Sequence, residues 1–151
     1  MKALARVVLA FALTVLAQVV SAERVVTDPR TGLALYGFDP VGYFTDGKPL
    51  IGRAELELSF AGAIWRFHNE GNRAAFRDHP EVYVPCYGGY DPVSMGRGVA
   101  LPGHPDLWVM FKSRVYLFAS PAARNAFLAD PPGTIVVAAA KWPDFQRSVL
   151  P

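Results

Sequence analysis

FAGAIWRFHNEGNRAAF, residues 60–76, and FKSRVYLFASPAARNAF, residues 111–127, are one pattern written twice. Phe60, Ile64, Trp65, Phe67, Arg73, Ala75 and Phe76 meet Phe111, Val115, Tyr116, Phe118, Arg124, Ala126 and Phe127 at a spacing of 51 residues. Pro80 and Pro131 keep the same spacing. Upstream, Phe38-Asp39-Pro40-Val41 returns as Tyr90-Asp91-Pro92-Val93, 52 residues on, so a single one-residue gap reconciles the two offsets. A period of about 50 residues marks a duplicated supersecondary unit.

Each copy predicts the same elements. An Asp-Pro-Val turn leads into a short extended run. A hairpin follows: residues 55–60 alternate polar and apolar, Ala61-Gly62 turns, and 63–67 returns. In the second copy 107–111 runs up, Lys112-Ser113 turns and 114–118 returns. A helix comes next in each, capped by Asn69 or by Ser120, with Pro121 at a position where its missing N–H costs nothing. Pro80 and Pro131 end these helices, and Phe76 and Phe127 face the hairpins. Residues 134–142 predict a third helix, capped by Thr134 and stopped by Pro143. The glycine- and proline-rich stretch 96–105 reads as an irregular loop inserted before the second hairpin.

The 151 residues carry a formal charge of +2, are 52% hydrophobic and hold one cysteine. One cysteine excludes an internal disulfide framework and every zinc site needing several cysteines from one chain. No Lys/Arg cluster suggests a nucleic-acid surface. Residues 1–22 read as a signal peptide: Lys2 and Arg6 precede an apolar stretch at 7–20, and Val20-Ser21-Ala22 suits cleavage. That stretch is shorter than the roughly 20 residues that span a bilayer, so no membrane span is expected after cleavage. Cleavage would remove two basic residues and no acid, leaving thirteen of each sign. The expected organisation is an extended lead-in at 23–34, a tandem domain at 35–143 (units 35–84 and 88–143) and a tail at 144–151.

The repeated residues resemble the YHS domain family, and most of all its exported members. Asp39-Pro40-Val41 and Asp91-Pro92-Val93 resemble the family start, and 67–76 and 118–127 resemble its helix motif in frame. The segments 37–44 and 83–90, with Trp142-Pro143 near the end, are similar to the exported members. The resemblance implies an α+β fold of tandem pseudo-symmetric units, each a small β-hairpin sheet with a following helix, packed as one domain. It also implies cysteines at positions where this chain has Gly42, His68 and Asn72, then Ser94, Ala119 and Ala123. The family's metal-binding thiolates therefore do not carry over.

The remaining chemistry lies in a few side chains. Cys86 is the only thiol and reads first as a small buried residue, with ligand or redox thiol as the alternative. His68 could ligate a metal through its imidazole or simply face solvent beside Asn69. His104 and Met95, taken with Cys86, would form a copper-like donor set, although their spacing matches no derivable site. Asp39 and Asp91 read as turn residues whose carboxylates bond their own turns. Tyr87, Gly88, Gly89 and Tyr90 are the ligand-binding candidates, in a groove between the halves where glycine admits a close neighbour.

No Ser/His/Asp order, His-Glu-x-x-His motif or paired helical glutamates suggest catalysis. The expected function is thus an exported, periplasmic or extracellular binding protein for a partner protein or small ligand. One alternative is metal handling through His68, Cys86, His104 and Met95, with copper or zinc as the metal. The other is thiol-redox chemistry at Cys86.

Overall fold

The computed structural model describes residues 24–148. The signal-peptide reading therefore lies outside the described residues. Among the described residues the chain is mixed α+β, with two two-stranded antiparallel sheets and six helices. Helix α1 is Gly42–Thr45, strands β1 and β2 are Arg53–Phe60 and Ala63–Phe67, and helices α2 and α3 are Glu70–Asp78 and Pro80–Tyr83. Helix α4 is Pro92–Gly96, strands β3 and β4 are His104–Phe111 and Arg114–Phe118, and helices α5 and α6 are Pro121–Ala129 and Pro131–Arg147. None of these helices is long and apolar enough to cross a membrane.

The hairpins correspond in detail. In each, an eight-residue strand pairs with a five-residue strand. Each register shifts near its open end, between Arg53 and Glu57 in one and between His104 and Trp108 in the other. Helices α2 and α5 have nine residues each, and the caps are those expected. The Asn69 carboxamide oxygen accepts from the Asn72 N–H, and the Ser120 hydroxyl oxygen accepts from the Ala123 N–H.

Several expectations need correction. The run after each Asp-Pro-Val turn is not extended. Residues 42–45 and 92–96 are helical, because the aspartate side chain accepts the N–H groups of the following turn. Pro80 and Pro131 open new helices, since proline suits a first helical turn as well as it ends a helix. The 96–105 stretch is not an insertion. The Asp39 N–H donates to the Leu50 carbonyl and the Gly52 N–H to Gly37. In the same way the Asp91 N–H donates to Leu101 and the Gly103 N–H to Gly89. Gly52 and Gly103 each lie where a Cβ would overlap the second hairpin strand, at Arg66 and at Leu117. Gly52 and Gly103 stand 51 residues apart, the spacing of the two hairpins, and the sequence reading passed over them.

The third helix is longer than expected. Its cap is Asp130, whose carboxylate accepts from the Gly133 N–H, while the Thr134 hydroxyl bonds back to the Asp130 carbonyl. It also runs through Pro143, so residues 144–147 are helix and not tail. Proline removes one hydrogen bond there, and aromatic packing holds the last turn in place. Phe145 meets Tyr90 edge-on at 5.0 Å and stacks near Trp142 at 5.7 Å. The lead-in is not uniformly extended either. Thr27 bridges to Ala34 across a turn in which the Asp28 carboxylate accepts the Arg30 N–H.

The two hairpins differ in how they are buried. Strand β2 buries Ala63, Trp65 and Phe67 and leaves Ile64 at the surface. Strand β4 is buried on both faces. Val115 and Leu117 join the core with Trp65, Phe67, Phe76 and Tyr43, while Tyr116 and Phe118 pack on Phe127. Side chains alternate across a strand, so one strand supplies both faces and welds the halves together. The Tyr43 hydroxyl donates to the Pro105 carbonyl at 2.9 Å and adds a polar tie across the same junction.

Candidate functional site

Among the described residues Asp39 and Asp91 are the two buried carboxylates, exposed by 0% and 1%. Each holds its own turn and reaches across to the junction of hairpin and helix. Oδ1 of Asp39 accepts from the Val41 N–H at 2.8 Å, and its Oδ2 accepts from the His68 N–H at 2.7 Å. Oδ1 of Asp91 accepts from the Val93 N–H at 2.8 Å, and its Oδ2 accepts from the Ala119 N–H at 3.1 Å. The turn role was legible in the sequence. The reach to residues 68 and 119 was not, because it joins segments 29 and 28 positions apart.

Oδ1 of Asp91 also accepts from the Ser94 N–H at 3.4 Å, a bond without a counterpart at Asp39, but the larger difference between the two sites lies beside Oδ2. In the first, the Asn72 carboxamide donates to Asp39 Oδ2 at 2.7 Å and fills the space beside it. In the second, Ala123 stands where Asn72 does, and a methyl group neither donates nor fills. A cavity of about 240 Å³ lies there instead. Asp91, Ser94, Arg97, Ala119, Ser120 and Ala123 are among the residues that line it. Ser94, Ala119 and Ala123 are three of the positions where the YHS resemblance implied cysteine. The fold brings them together around Asp91.

A second cavity, of about 470 Å³, opens between the halves, lined by Phe60, Pro80, Glu81, Val84 and Arg114. Its one cationic group is already engaged. The Arg114 guanidinium donates to the carbonyls of Glu81 and Val84 and to the Cys86 sulfur.

The residues singled out as ligand-binding candidates lie elsewhere. Gly88 and Gly89 are buried, and their backbone serves the fold. A Cβ on Gly88 would overlap the Arg24 carbonyl, and the Val26 N–H donates to the Gly88 carbonyl at 2.8 Å. The close neighbour that glycine admits at Gly88 is therefore this chain's own residues 24–26. The Tyr87 hydroxyl donates to the Ile135 carbonyl at 3.2 Å, and Tyr87 and Tyr90 pack against Trp142 of α6. Burial pushes the Tyr87 phenol up to about 12, with the neighbouring Cys86 thiol as a smaller cause. Tyr116 is raised as well, by burial and then by the same thiol.

The four metal-ligand candidates do not converge. His68 is exposed, with Nδ1 3.2 Å from the Ile51 carbonyl. His104 is exposed beside Asp106. Met95 is buried against α6, and Cys86 is half-buried beside Arg114 and Tyr116. Among the described residues no group of three His, Cys, Asp or Glu side chains is placed to hold a metal ion. The Asp91 cavity escaped the sequence reading, although a signal was present. Asn72 and Ala123 lie 51 residues apart, each beside a buried aspartate, and the difference between them marks a filled site and an open one.

No family model, curated protein or solved structure matches the chain.

Proposed function

We propose that this is an exported binding protein built from two fused YHS-like units, and that it takes a small ligand in the second unit beside Asp91. The duplication is supported by hairpins of equal length and shifted register, and by aspartates that bond equivalent N–H groups. Export rests on the residue pattern at 1–22. One observation carries the binding reading. A carboxylate exposed by only 1% borders a cavity of about 240 Å³, while its counterpart in the first unit is plugged by an asparagine. A buried polar group facing a concave, mostly apolar space is the usual composition of a ligand site. The inter-half cavity is the weaker candidate, because Arg114 is committed to backbone carbonyls.

The test is a titration of the isotope-labelled protein with small amines, amides, carboxylic acids and alcohols. Amide signals of Val93, Ser94, Ala119 and the first turn of α5 should shift saturably with at least one class. The same signals should stay still in an Ala126→Leu variant, whose larger side chain occupies the cavity. If no class moves these amides, or if the variant responds as the parent does, the binding reading is wrong.

A further inference from the structure

We infer that the ligand of the Asp91 cavity is a compact molecule that presents an N–H donor, a primary carboxamide or an ammonium group, to Asp91 Oδ2. This inference rests on the binding reading above and names its chemistry.

The first unit shows what such a site accepts. Asp39 Oδ2 receives two donors at 2.7 Å, the His68 N–H and the Asn72 carboxamide N–H. Asp91 Oδ2 receives one, the Ala119 N–H, at the longer distance of 3.1 Å. The second donor position is therefore vacant of protein, and the cavity lies where the side chain of residue 123 would supply it. No Lys, Arg or His among the described residues forms an ion pair with Asp91. An acceptor bearing formal charge makes a stronger hydrogen bond than a neutral one. A donor entering this cavity gains such a bond without displacing a protein partner. An acceptor-only ligand, or an anion, would place lone pairs against the carboxylate.

The walls set the rest of the molecule. Val93, Leu101, Ala119, Ala123 and Ala126 are apolar while Ser94, Ser120 and Arg97 are polar, so the body behind the donor is short and mostly apolar, and the Arg97 charge favours the neutral carboxamide over the ammonium group. The volume of about 240 Å³ is below the range of roughly 300–1,000 Å³ typical of drug-sized ligands. Asp91 and Ser94 are buried while Arg97, Leu101, Ala122 and Ala126 are exposed, so the cavity opens to solvent at its rim.

The test compares four probes of similar size: propionamide, ethylammonium, propanoate and methyl acetate. Amide shifts of Val93, Ser94 and Ala119 report occupancy. Propionamide, ethylammonium or both should bind about tenfold or more tighter than propanoate and methyl acetate, as one hydrogen bond to a charged acceptor implies. Which of the two donors binds separates the neutral carboxamide from the cation. Ala123→Asn should abolish binding of the donors, because the introduced carboxamide takes their place, and should raise the unfolding midpoint. Asn72→Ala should open a second site, read at the Val41 and His68 amides. Should that variant fail to fold, the parent and Ala123→Asn decide the matter. Methyl acetate or propanoate binding as well as the donors would overturn the donor chemistry while leaving a ligand site standing. Silence from all four would overturn the inference, and the broader panel above then decides whether any ligand binds.

Discussion

Asp39 and Asp91 occupy equivalent turns, yet replacing each by asparagine should have unequal consequences. At position 39 the carboxylate serves three donors, Val41 N–H, His68 N–H and the Asn72 carboxamide, all within 2.8 Å. An asparagine keeps one acceptor oxygen. Its best arrangement leaves that oxygen toward His68 and Asn72 and turns the new NH2 group onto the Val41 N–H. Two buried donors then face each other, and each unsatisfied one costs about 1–3 kcal/mol. The surviving bonds also lose their charged acceptor, so the total should be about 3–5 kcal/mol.

At position 91 the oxygen can remain toward Val93, leaving the NH2 beside Ala119 and the open cavity. Water entering that cavity can accept from both the NH2 and the half-buried Ala119 N–H that has lost its acceptor, which limits the loss to about 1–2 kcal/mol. Removing a buried charge relieves a similar desolvation at both sites, so the difference between them is the informative quantity. Urea unfolding of the two variants, with unchanged m-values, should place Asp39→Asn about 1–4 kcal/mol below Asp91→Asn. Equal losses, or a larger one at Asp91, would refute the claim that Asn72 fills one site and nothing in the chain fills the other.

Further outcomes follow from the core and the backbone. Phe76→Ala and Phe127→Ala each remove a fully buried ring that packs on three aromatic neighbours, and should each cost about 3–5 kcal/mol in the same unfolding assay. Gly88→Ala should displace residues 24–26, because its methyl overlaps the Arg24 carbonyl and its φ of +59° is strained for alanine. Hydrogen exchange of the Val26 amide, bonded to Gly88 in the parent, should speed up strongly. Alkaline pH should destabilise the fold. Burial raises the phenols of Tyr43, Tyr87 and Tyr116 above the ordinary value of 10.0, so the unfolded state gives up their protons first. The folded state then binds more protons than the unfolded one, and stability falls as pH rises above 10. Denaturation midpoints from pH 8 to 11 should show this slope, and Tyr43→Phe should flatten it while losing the bond to Pro105.

The local elements were legible where local chemistry decides them. The alternation at 55–60, the Ala61-Gly62 and Lys112-Ser113 turns and the Asn69 and Ser120 caps depend on near neighbours in the chain, and they stand where expected. Misreadings came where distant packing overrides local preference. Pro143 stops a helix by its own chemistry, but Tyr90 and Trp142 hold Phe145 in one more helical turn. Gly88-Gly89 reads as a place for a ligand to approach, and the chain's own residues 24–26 approach Gly88.

By itself, then, the sequence determined the period of 51 residues, the hairpin–helix order of each copy, and the absence of all but one thiol. Those properties depend on side-chain type and short spacing. Only the tertiary structure decided that β4 is buried on both faces, that the metal-ligand candidates stand apart, and that Asp91 borders a cavity while Asp39 does not. Each of these depends on which side chain arrives from about 30 or more residues away to fill a given space. An asparagine and an alanine at matching positions differ little on the page, but beside a buried carboxylate one completes the site and the other leaves it open.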